Sequence, residues 1–316
     1  MRCRIQDPHQ TRDMDKQHKA ALFKLVGEGL EFDCPMASYT TLRVGGQAEI
    51  LYKATDLEGL RRLIPYLSAE GIPYLVVGGG SNLLVMDSGV EGVVILLRGS
   101  LAAIERPGRK EGTILAGAGA TTVDLLNTCR REGLGGLEFL AWIPATVGGA
   151  VFMNAGAFGK EMGDRVREVH MVTPEGDVIR KERSQLRFSY RSMDLEKGSI
   201  IFRVGLGLDP VPRTVLKERM KYYQDRRKAL QPLEFPSAGS VFKNPPGHHA
   251  GRLIEAAGLK GKRIGGAMIS EKHANFIVNT GGATAKDVLA LLHMTQETIQ
   301  KETGIELEPE IQVVGR

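Results

Sequence analysis

The run Val76-Val77-Gly78-Gly79-Gly80-Ser81-Asn82-Leu83-Leu84-Val85 decides the fold. A β-type segment, Tyr74 to Val77, enters three consecutive glycines. A second apolar β-type segment, Leu83 to Met86, leaves them before an Asp87-Ser88-Gly89 turn. A dinucleotide-binding Rossmann unit needs a strand, G-x-G-x-x-G and then a helix opening on the phosphates. Here a strand follows, so that fold is excluded. A strand-turn-strand can still aim several backbone N–H groups at one point and form a nest for a diphosphate. An ordinary glycine hairpin is the competing reading, and on this loop alone it is slightly the stronger.

Two more small-residue loops lie downstream. Ala116-Gly117-Ala118-Gly119-Ala120-Thr121-Thr122 follows a strand and opens a helix, a weak signal because small residues at such junctions usually serve packing. Ile143-Pro144-Ala145-Thr146-Val147-Gly148-Gly149-Ala150 runs on to Met153-Asn154-Ala155-Gly156-Ala157-Phe158-Gly159, a largely uncharged stretch that lets backbone lie against a flat ligand or pack tightly in a core. The chain has 39 glycines among 316 residues, about 12% against roughly 7% in average proteins, with no collagen-like period. Three such loops in one β-rich region favour one extended nucleotide cofactor over three coincidences.

Around these loops the pattern is α+β. Apolar periodicity predicts an N-terminal helix over Lys19 to Leu30, helices over Leu57 to Ser68 and Thr122 to Arg131, and strands at Ala48 to Tyr52, Gly92 to Leu97, Thr113 to Ala116, Val166 to Val172 and Ile200 to Val204. After Pro210-Val211-Pro212, where composition shifts and a domain boundary is expected, come a charged helix over Thr214 to Lys228, helices over Arg252 to Ala257 and Ala285 to Glu302, and strands at Asn275 to Val278 and Ile311 to Val314.

Charge and composition exclude several classes. Lys and Arg number 42 against 37 Asp and Glu, a net charge of +5 with no long like-charged run, and aromatic residues are 6% of the chain. A nucleic-acid reader would show basic residues interleaved with aromatics, and this chain does not. Cys3, Cys34 and Cys129 are isolated and never in C-x-x-C pairs, so neither a disulfide framework nor a zinc knuckle is expected. No two histidines stand in an H-x-x-x-H pair, so no metal site is expected. The N-terminus lacks the apolar segment of a signal peptide, and no apolar run approaches the roughly 20 residues of a membrane span. The expectation is a cytoplasmic protein with a small-molecule ligand and no nucleic-acid or membrane partner, with a monomer favoured.

The second half carries the polar chemistry. Ser237-Ala238-Gly239-Ser240-Val241-Phe242-Lys243-Asn244-Pro245 puts a hydroxyl, an ammonium and an amide in one loop, yet it is no G-x-S-x-G elbow, and Ser240 taken singly reads as a turn hydrogen-bonder. Arg191, in Ser189-Tyr190-Arg191, can grip a carboxylate with two prongs. Glu310, in Glu308-Pro309-Glu310, can hold a proton if its site is dry. Surface charge is the bland alternative for both.

Taken in order, Thr40-Thr41-Leu42-Arg43-Val44-Gly45-Gly46, Val77 to Asn82, Ile143 to Gly159, Phe188 to Arg191, Gly239 to Pro245, Ser270-Glu271-Lys272-His273-Ala274-Asn275-Phe276 and Glu308 to Glu310 resemble the UDP-N-acetylenolpyruvoylglucosamine reductases. The likeness spans about Thr40 to Gly315 and is to the shorter type, without the substrate-capping insertion. It implies a vanillyl-alcohol-oxidase-type (PCMH-type) FAD-binding domain over residues 40–210, in two subdomains of about 40–100 and 101–210. An N-terminal polar segment and helix, residues 1–39, would precede it, and a smaller α/β substrate-binding domain, residues 211–316, would follow.

The resemblance also implies roles. Noncovalent FAD would be held by Arg43, Val77, Gly78, Gly79, Gly80, Ser81, Asn82, Gly117, Gly119, Ile143, Pro144, Thr146, Gly148, Gly149, Ala150, Asn154, Ala155 and Gly156. NADPH would reduce the flavin, which then passes a hydride to C3 of the enolpyruvyl group of UDP-N-acetylglucosamine-enolpyruvate. Ser240 would protonate C2, while Arg191 and Glu310 would stabilise the developing carboxylate charge. Tyr190, Lys243 and Asn244 would contact the substrate. Trp142 and Ala145 stand where the family more often has glycine, and Leu230 where many relatives carry lysine.

Two other readings have distinct signatures. An oxidase of the same fold would often tether its flavin through His or Cys, and neither the Gly78 to Asn82 loop nor the Ile143 to Gly159 loop contains one. A non-catalytic nucleotide-binding module would have no need of Ser240, Arg191 and Glu310 together.

Overall fold

The protein is described here from a computed structural model covering Met14, residues 16–107 and residues 112–315. Cys3 and nearly all of the polar N-terminal run lie outside the described residues. Helix α1 is Lys16–Val26, ending earlier than the expected Leu30 because Gly27 and Gly29 take left-handed backbone (φ 62° and 100°) and break the helical path. The next residues form a strand the periodicity missed, β1 (Leu30–Pro35), antiparallel to β2 (Gln47–Ala54). The first sheet therefore starts inside the segment expected to be only a polar lead and a helix.

Helix α2 (Leu57–Ala69) follows, capped by the Asp56 carboxylate, which accepts from Gly59 N at 2.8 Å. Its stripe of Leu60, Leu63, Ile64 and Leu67 is fully buried. Strand β3 (Tyr74–Val77) leads into the glycine run, the short β4 (Leu83–Val85) leaves it, and β5 (Val90–Leu97) lies parallel to both β2 and β3. The resulting sheet has the order β1-β2-β5-β3. Strand β4 does not join it, so the glycine turn redirects the chain out of the sheet instead of closing a hairpin.

The second sheet is antiparallel: β6 (Ile104–Glu105), β7 (Thr113–Gly117), β8 (Val166–Val172), β9 (Val178–Glu182) and β10 (Ile200–Gly207) in the order β9-β8-β10-β7-β6. Between β7 and β8 lie α3 (Thr122–Glu132), started by the Thr121 hydroxyl and stopped by left-handed Gly133, and α4 (Val147–Phe152), a short helix within the third small-residue loop. One core cluster joins α2 and strands β2 and β5 of the first sheet to this second sheet and to α3 and α4.

Helix α5 (Arg213–Leu230) packs back onto this same unit: Met220 and Tyr223 lie against its core, and Arg219 reaches the buried Glu138 at 3.2 Å. The break at Pro210–Pro212 therefore turns the chain inside one packing unit, because α5 still has an apolar stripe to bury there. The next core belongs to α6 (Ala250–Ala256), the small sheet of β11 (Arg263–Ile264), β12 (Ala267–Ile269) and β13 (Ile277–Asn279), and α7 (Ala285–Thr303). Leu42, Val44 and Leu84, distant in sequence, share that core. The last strand, β14 (Gln312–Val314), pairs in parallel with β4.

Candidate active site

A cavity of about 470 Å³ opens between the two larger sheets, lined from the first by Tyr74 to Gly78, Leu97 and Arg98, and from the second by Ala118, Gly119, Thr146, Gly148, Gly149, Phe152 and residues 195–201. Ligand pockets typically run from about 300 to 1,000 Å³. Of the residues assigned to a cofactor from sequence, Val77, Gly78, Gly119, Thr146, Gly148 and Gly149 line it. Tyr74, Arg98, Phe152 and the 195–201 segment were missed, since none belongs to a glycine loop and no local motif marks them.

The glycine run is threaded between backbones. A side chain on Gly79 would strike Pro144 O at 2.4 Å, and one on Gly80 would strike Tyr39 O at 2.0 Å. Gly149 differs. Its nearest neighbour would be Thr146 Oγ1 at 3.5 Å, so a side chain there would project into free space beside the cavity. Gly78 at the start of the turn and Thr146, Gly148 and Gly149 at the start of α4 line one cleft, and bare backbone there suits the diphosphate and flat ring system of FAD. Gly117, by contrast, does not line the cavity, and a side chain there would meet Leu101 O at 2.3 Å. Gly79 and Gly80 likewise lie outside the cavity lining.

Asn154 and Gly156 act one step away from the cavity. The buried Asn154 amide donates to Ser189 O at 3.0 Å and accepts from Gly163 N at 2.9 Å, so its side chain holds the Ser189-Tyr190-Arg191 turn. Gly156 O accepts from Arg191 Nη1 at 2.9 Å. Ile143 O accepts from the Thr122 hydroxyl at 2.6 Å, and Ala155 N donates to the carbonyl of buried Ala150 at 2.7 Å. These bonds shape the loop that borders the cleft.

The three residues picked for chemistry are brought together. Arg191, in left-handed backbone at φ 57°, places Nε 2.7 Å from Glu310 Oε1, with side-chain exposures of 22% and 13% that rule out simple surface charges. The buried Nε–H is aimed off that oxygen, so the contact is an ion pair more than an aligned hydrogen bond. Burial pushes the Glu310 carboxyl up, by more than the Arg191 charge and bond draw it down. Glu310 N donates to Val241 O at 2.7 Å, which seats Glu310 beside the residue following Ser240. Gly239 faces Ser81 O across 3.9 Å from where its side chain would begin, so the Ser240 loop abuts the glycine turn.

Arg227 of α5 adds a second guanidinium. It is buried, its Nε has no hydrogen-bond partner, it sits 5.7 Å from the Phe158 ring centre, and burial followed by the Arg191 charge pushes its pKa down to about 10. Its Nη1 and Nη2 donate to Gln231 Oε1 and Phe139 O, each at 3.4 Å.

The other substrate candidates have local partners. Tyr190 is exposed, with its ring 5.2 Å below the Arg191 guanidinium. Lys243 pairs with Glu308, and Asn244 Oδ1 accepts from Ala250 N at 3.0 Å at the start of α6. Arg43 is exposed in left-handed backbone at φ 56°, and its carbonyl lies 3.4 Å from Asn279 Nδ2. Among the described residues no cluster of three or more His, Cys, Asp or Glu could hold a metal, and no helix is long and apolar enough to cross a membrane.

Known proteins match this arrangement. Residues 48–181 match a family model described as FAD binding domain, and residues 231–314 match UDP-N-acetylenolpyruvoylglucosamine reductase, C-terminal domain. The second match begins just after α5. The chain is 46% identical over 293 residues to the UDP-N-acetylenolpyruvoylglucosamine reductase of Geobacter metallireducens, covering 92% of this chain and 96% of that protein. A Symbiobacterium thermophilum protein of the same name with the suffix 2 is 44% identical over 282 residues, 89% of this chain and 91% of its own. The crystal structure of UDP-N-acetylenolpyruvylglucosamine reductase from Thermus caldophilus superposes with a TM-score of 0.78 at 42% identity, over 90% of this chain and 98% of that one. The α+β architecture is that of the vanillyl-alcohol-oxidase-type FAD-binding fold with an added C-terminal domain. In sequence and in fold, the chain belongs to the UDP-N-acetylenolpyruvoylglucosamine reductase family.

Proposed function

We propose that the protein reduces the enolpyruvyl group of UDP-N-acetylglucosamine-enolpyruvate to give UDP-N-acetylmuramate, with NADPH as the electron source. The observation that carries this reading is the half-buried Arg191–Glu310 pair joined through Val241 to the Ser240 loop. FAD is the cofactor, and when bound in the cleft it supplies the hydride that adds to C3. The glycine turn Gly78 to Asn82 and the Thr146 helix start would hold its diphosphate, while Gly148, Gly149 and Phe152 would border its rings.

The chain's own groups manage charge and protons. Arg191, oriented by Gly156 O, takes one edge of the substrate carboxylate. Glu310, kept protonated more readily than an ordinary carboxyl, shares its proton with the oxygen that gains charge as C3 is attacked. Such donors accelerate the step only because they bind the transition state better than the ground state. The Ser240 hydroxyl gives its proton to C2 as the enolate forms, and water restores it. Arg227 adds positive field without needing to touch the reacting atoms. Tyr190, Lys243 and Asn244 border the nucleotide sugar, the last two once their present partners are exchanged. A cytoplasmic monomer fits this reading, since NADPH and nucleotide sugars are cytoplasmic metabolites.

The test is spectroscopic. The purified protein is expected to be yellow, to release free FAD on acid precipitation, to bleach with NADPH and to recolour anaerobically with the enolpyruvyl nucleotide. A colourless protein that FAD cannot reconstitute overturns the reading. Bleaching by an alcohol or hydroxy acid, with no recolouring by the enolpyruvyl nucleotide, establishes the oxidase alternative instead.

A further inference from the structure

The Ser270 to Phe276 segment touches none of the chemistry above, yet its one amide is almost wholly enclosed: Asn275 is 4% exposed. The segment is closed on itself. Ser270 N donates to Phe276 O at 2.8 Å, Phe276 N donates to His273 O at 3.0 Å, and the Ser270 hydroxyl accepts from Lys272 N and His273 N at 3.1 and 3.4 Å. Even Asn275 N is engaged, donating to His273 Nδ1 at 3.3 Å. A loop so tied leaves its amide side chain little freedom.

That amide grips one residue of the Ser240 loop by both backbone groups. Asn275 Oδ1 accepts from Phe242 N at 3.0 Å, and Asn275 Nδ2 donates to Phe242 O at 2.8 Å. Its own carbonyl accepts from Val241 N at 2.9 Å. On the opposite edge of the same short segment, Val241 O accepts from Glu310 N at 2.7 Å, and Lys243 N donates to Glu308 O at 2.9 Å. Val241–Lys243 is thus a strand-like rung with Asn275 on one side and the Glu308–Glu310 run on the other. Ser240 is the residue before the rung, and Glu310 hangs from it.

We propose that Asn275 is a positioning residue for the reaction, setting the register of the Val241–Lys243 rung and through it the separation of the Ser240 hydroxyl from the Glu310 carboxyl. This rests on the functional reading given above. The amide satisfies both polar atoms of a residue two places from Ser240, and among the described residues no backbone strand pairs with Phe242 on that edge. Removing it frees a buried N–H and a buried C=O, which the segment can satisfy only by shifting. A displacement of about 1 Å at a reacting group is enough to cost roughly a hundredfold in rate.

The experiment compares Asn275→Ala and Asn275→Asp with the unaltered holoenzyme, measuring FAD content, the rate of flavin bleaching by NADPH, the dissociation constant of the enolpyruvyl nucleotide from shifts in the flavin spectrum, and the limiting rate of anaerobic recolouring. Asp keeps the acceptor for Phe242 N and loses the donor. The expected result is FAD content and bleaching within about twofold of normal, substrate affinity within about threefold, and recolouring slowed roughly tenfold to a hundredfold in Ala and less in Asp. Normal recolouring in both variants overturns the proposal. So does a parallel loss of FAD, bleaching and substrate affinity, or failure of even the Asp variant to fold, either of which makes Asn275 a residue of the fold alone. If the unaltered protein bleaches but never recolours with the nucleotide, the functional reading itself fails, and that outcome is seen before any variant is made.

Discussion

Two seams run through this molecule, and they are built in opposite ways. Between the first sheet's unit and the C-terminal unit the seam is stitched by backbone. Strand β4 pairs with β14, Gln312 N donates to Asn82 O at 2.9 Å, Asn82 Nδ2 donates to Glu310 O at 3.0 Å, and Asn279 Nδ2 donates to Leu42 O at 3.2 Å. Asp87 reaches over to accept from Ala285 N and Lys286 N at 2.8 and 3.0 Å, capping α7 from the other unit. Between the two larger sheets, among the described residues, Tyr74 Oη donates to Gly198 O at 2.6 Å at the cavity, and away from it Arg61 Nε donates to Gly176 O at 3.2 Å and Asn82 Nδ2 to Met153 Sδ at 3.7 Å. On the proposed function, the stitched seam would set distances among the reacting groups, which tolerate little error, and the other edge would admit and release FAD. Rigidity is placed where register matters and withheld where passage matters.

The largest expected effect tests what the stitched seam serves. Ser240→Ala should leave bleaching by NADPH near normal and slow anaerobic recolouring by about 10²- to 10⁴-fold, the usual contribution of a placed proton donor. Equal slowing of both steps would make Ser240 a shaping residue. Arg191→Lys keeps the charge but loses the planar fork, and recolouring should fall roughly tenfold to a hundredfold, in line with about 1.5–3 kcal/mol for a hydrogen bond to a charged group. Near-normal turnover would leave the Arg191–Glu310 pair as architecture.

Smaller effects separate the seams themselves. Asn279→Ala strips the stitched seam of a buried amide and should lower unfolding stability by about 1–3 kcal/mol in a urea titration while FAD affinity holds. Loss of FAD in proportion would show that the two seams are coupled. Tyr74→Phe removes one bond at the cavity edge, worth about 0.5–1.5 kcal/mol, so release of FAD followed by its fluorescence should quicken by roughly twofold to tenfold, with unfolding stability lowered by no more than that same amount. The subtlest is a pH effect at Glu310. A carboxyl held up in the native state leaves stability intact at low pH and erodes it as pH rises from the ordinary carboxylate range through the raised native value. Glu310→Gln should therefore melt higher than the unaltered protein at about pH 8, with the gap closing toward about pH 4. A lower melting temperature at the alkaline end would mean that the pair with Arg191 holds the fold together.

The sequence already carried the wider of these features. The strand after Asn82 excluded a Rossmann unit, and the periodicity located α2, α3, α5, α7 and most long strands within a few residues. Other signals are ambiguous for physical reasons. A backbone approach from Leu101 imposes the same demand on Gly117 as a phosphate would. A sharp proline turn such as the one before α5 leaves the same mark whether or not the chain leaves the packing unit. Asn82 and Asn275 stand in motifs, but nothing local reveals which carbonyl the amides of Asn82 and Asn279 will meet more than 200 residues away, or that Asn154 would spend the two ends of its amide on Ser189 and Gly163. The pairing of Arg191 with Glu310 was legible only as a juxtaposition of residue types, since their approach depends on both seams.

The pairing of β4 with β14 also has a consequence in time. Asn82 and Glu310 are 228 positions apart, so while the chain is being made, the first sheet's strands can meet well before the partner of β4 exists. Until residues 310–314 emerge, Leu83-Leu84-Val85 is an apolar strand with an open edge, the kind of surface on which nascent chains stick to one another. Contacts of such long sequence separation are also slow to close. Newly synthesised protein should therefore become competent for turnover as a late, single event, and slower elongation over the last hundred residues should lower the soluble yield more than the same delay placed early.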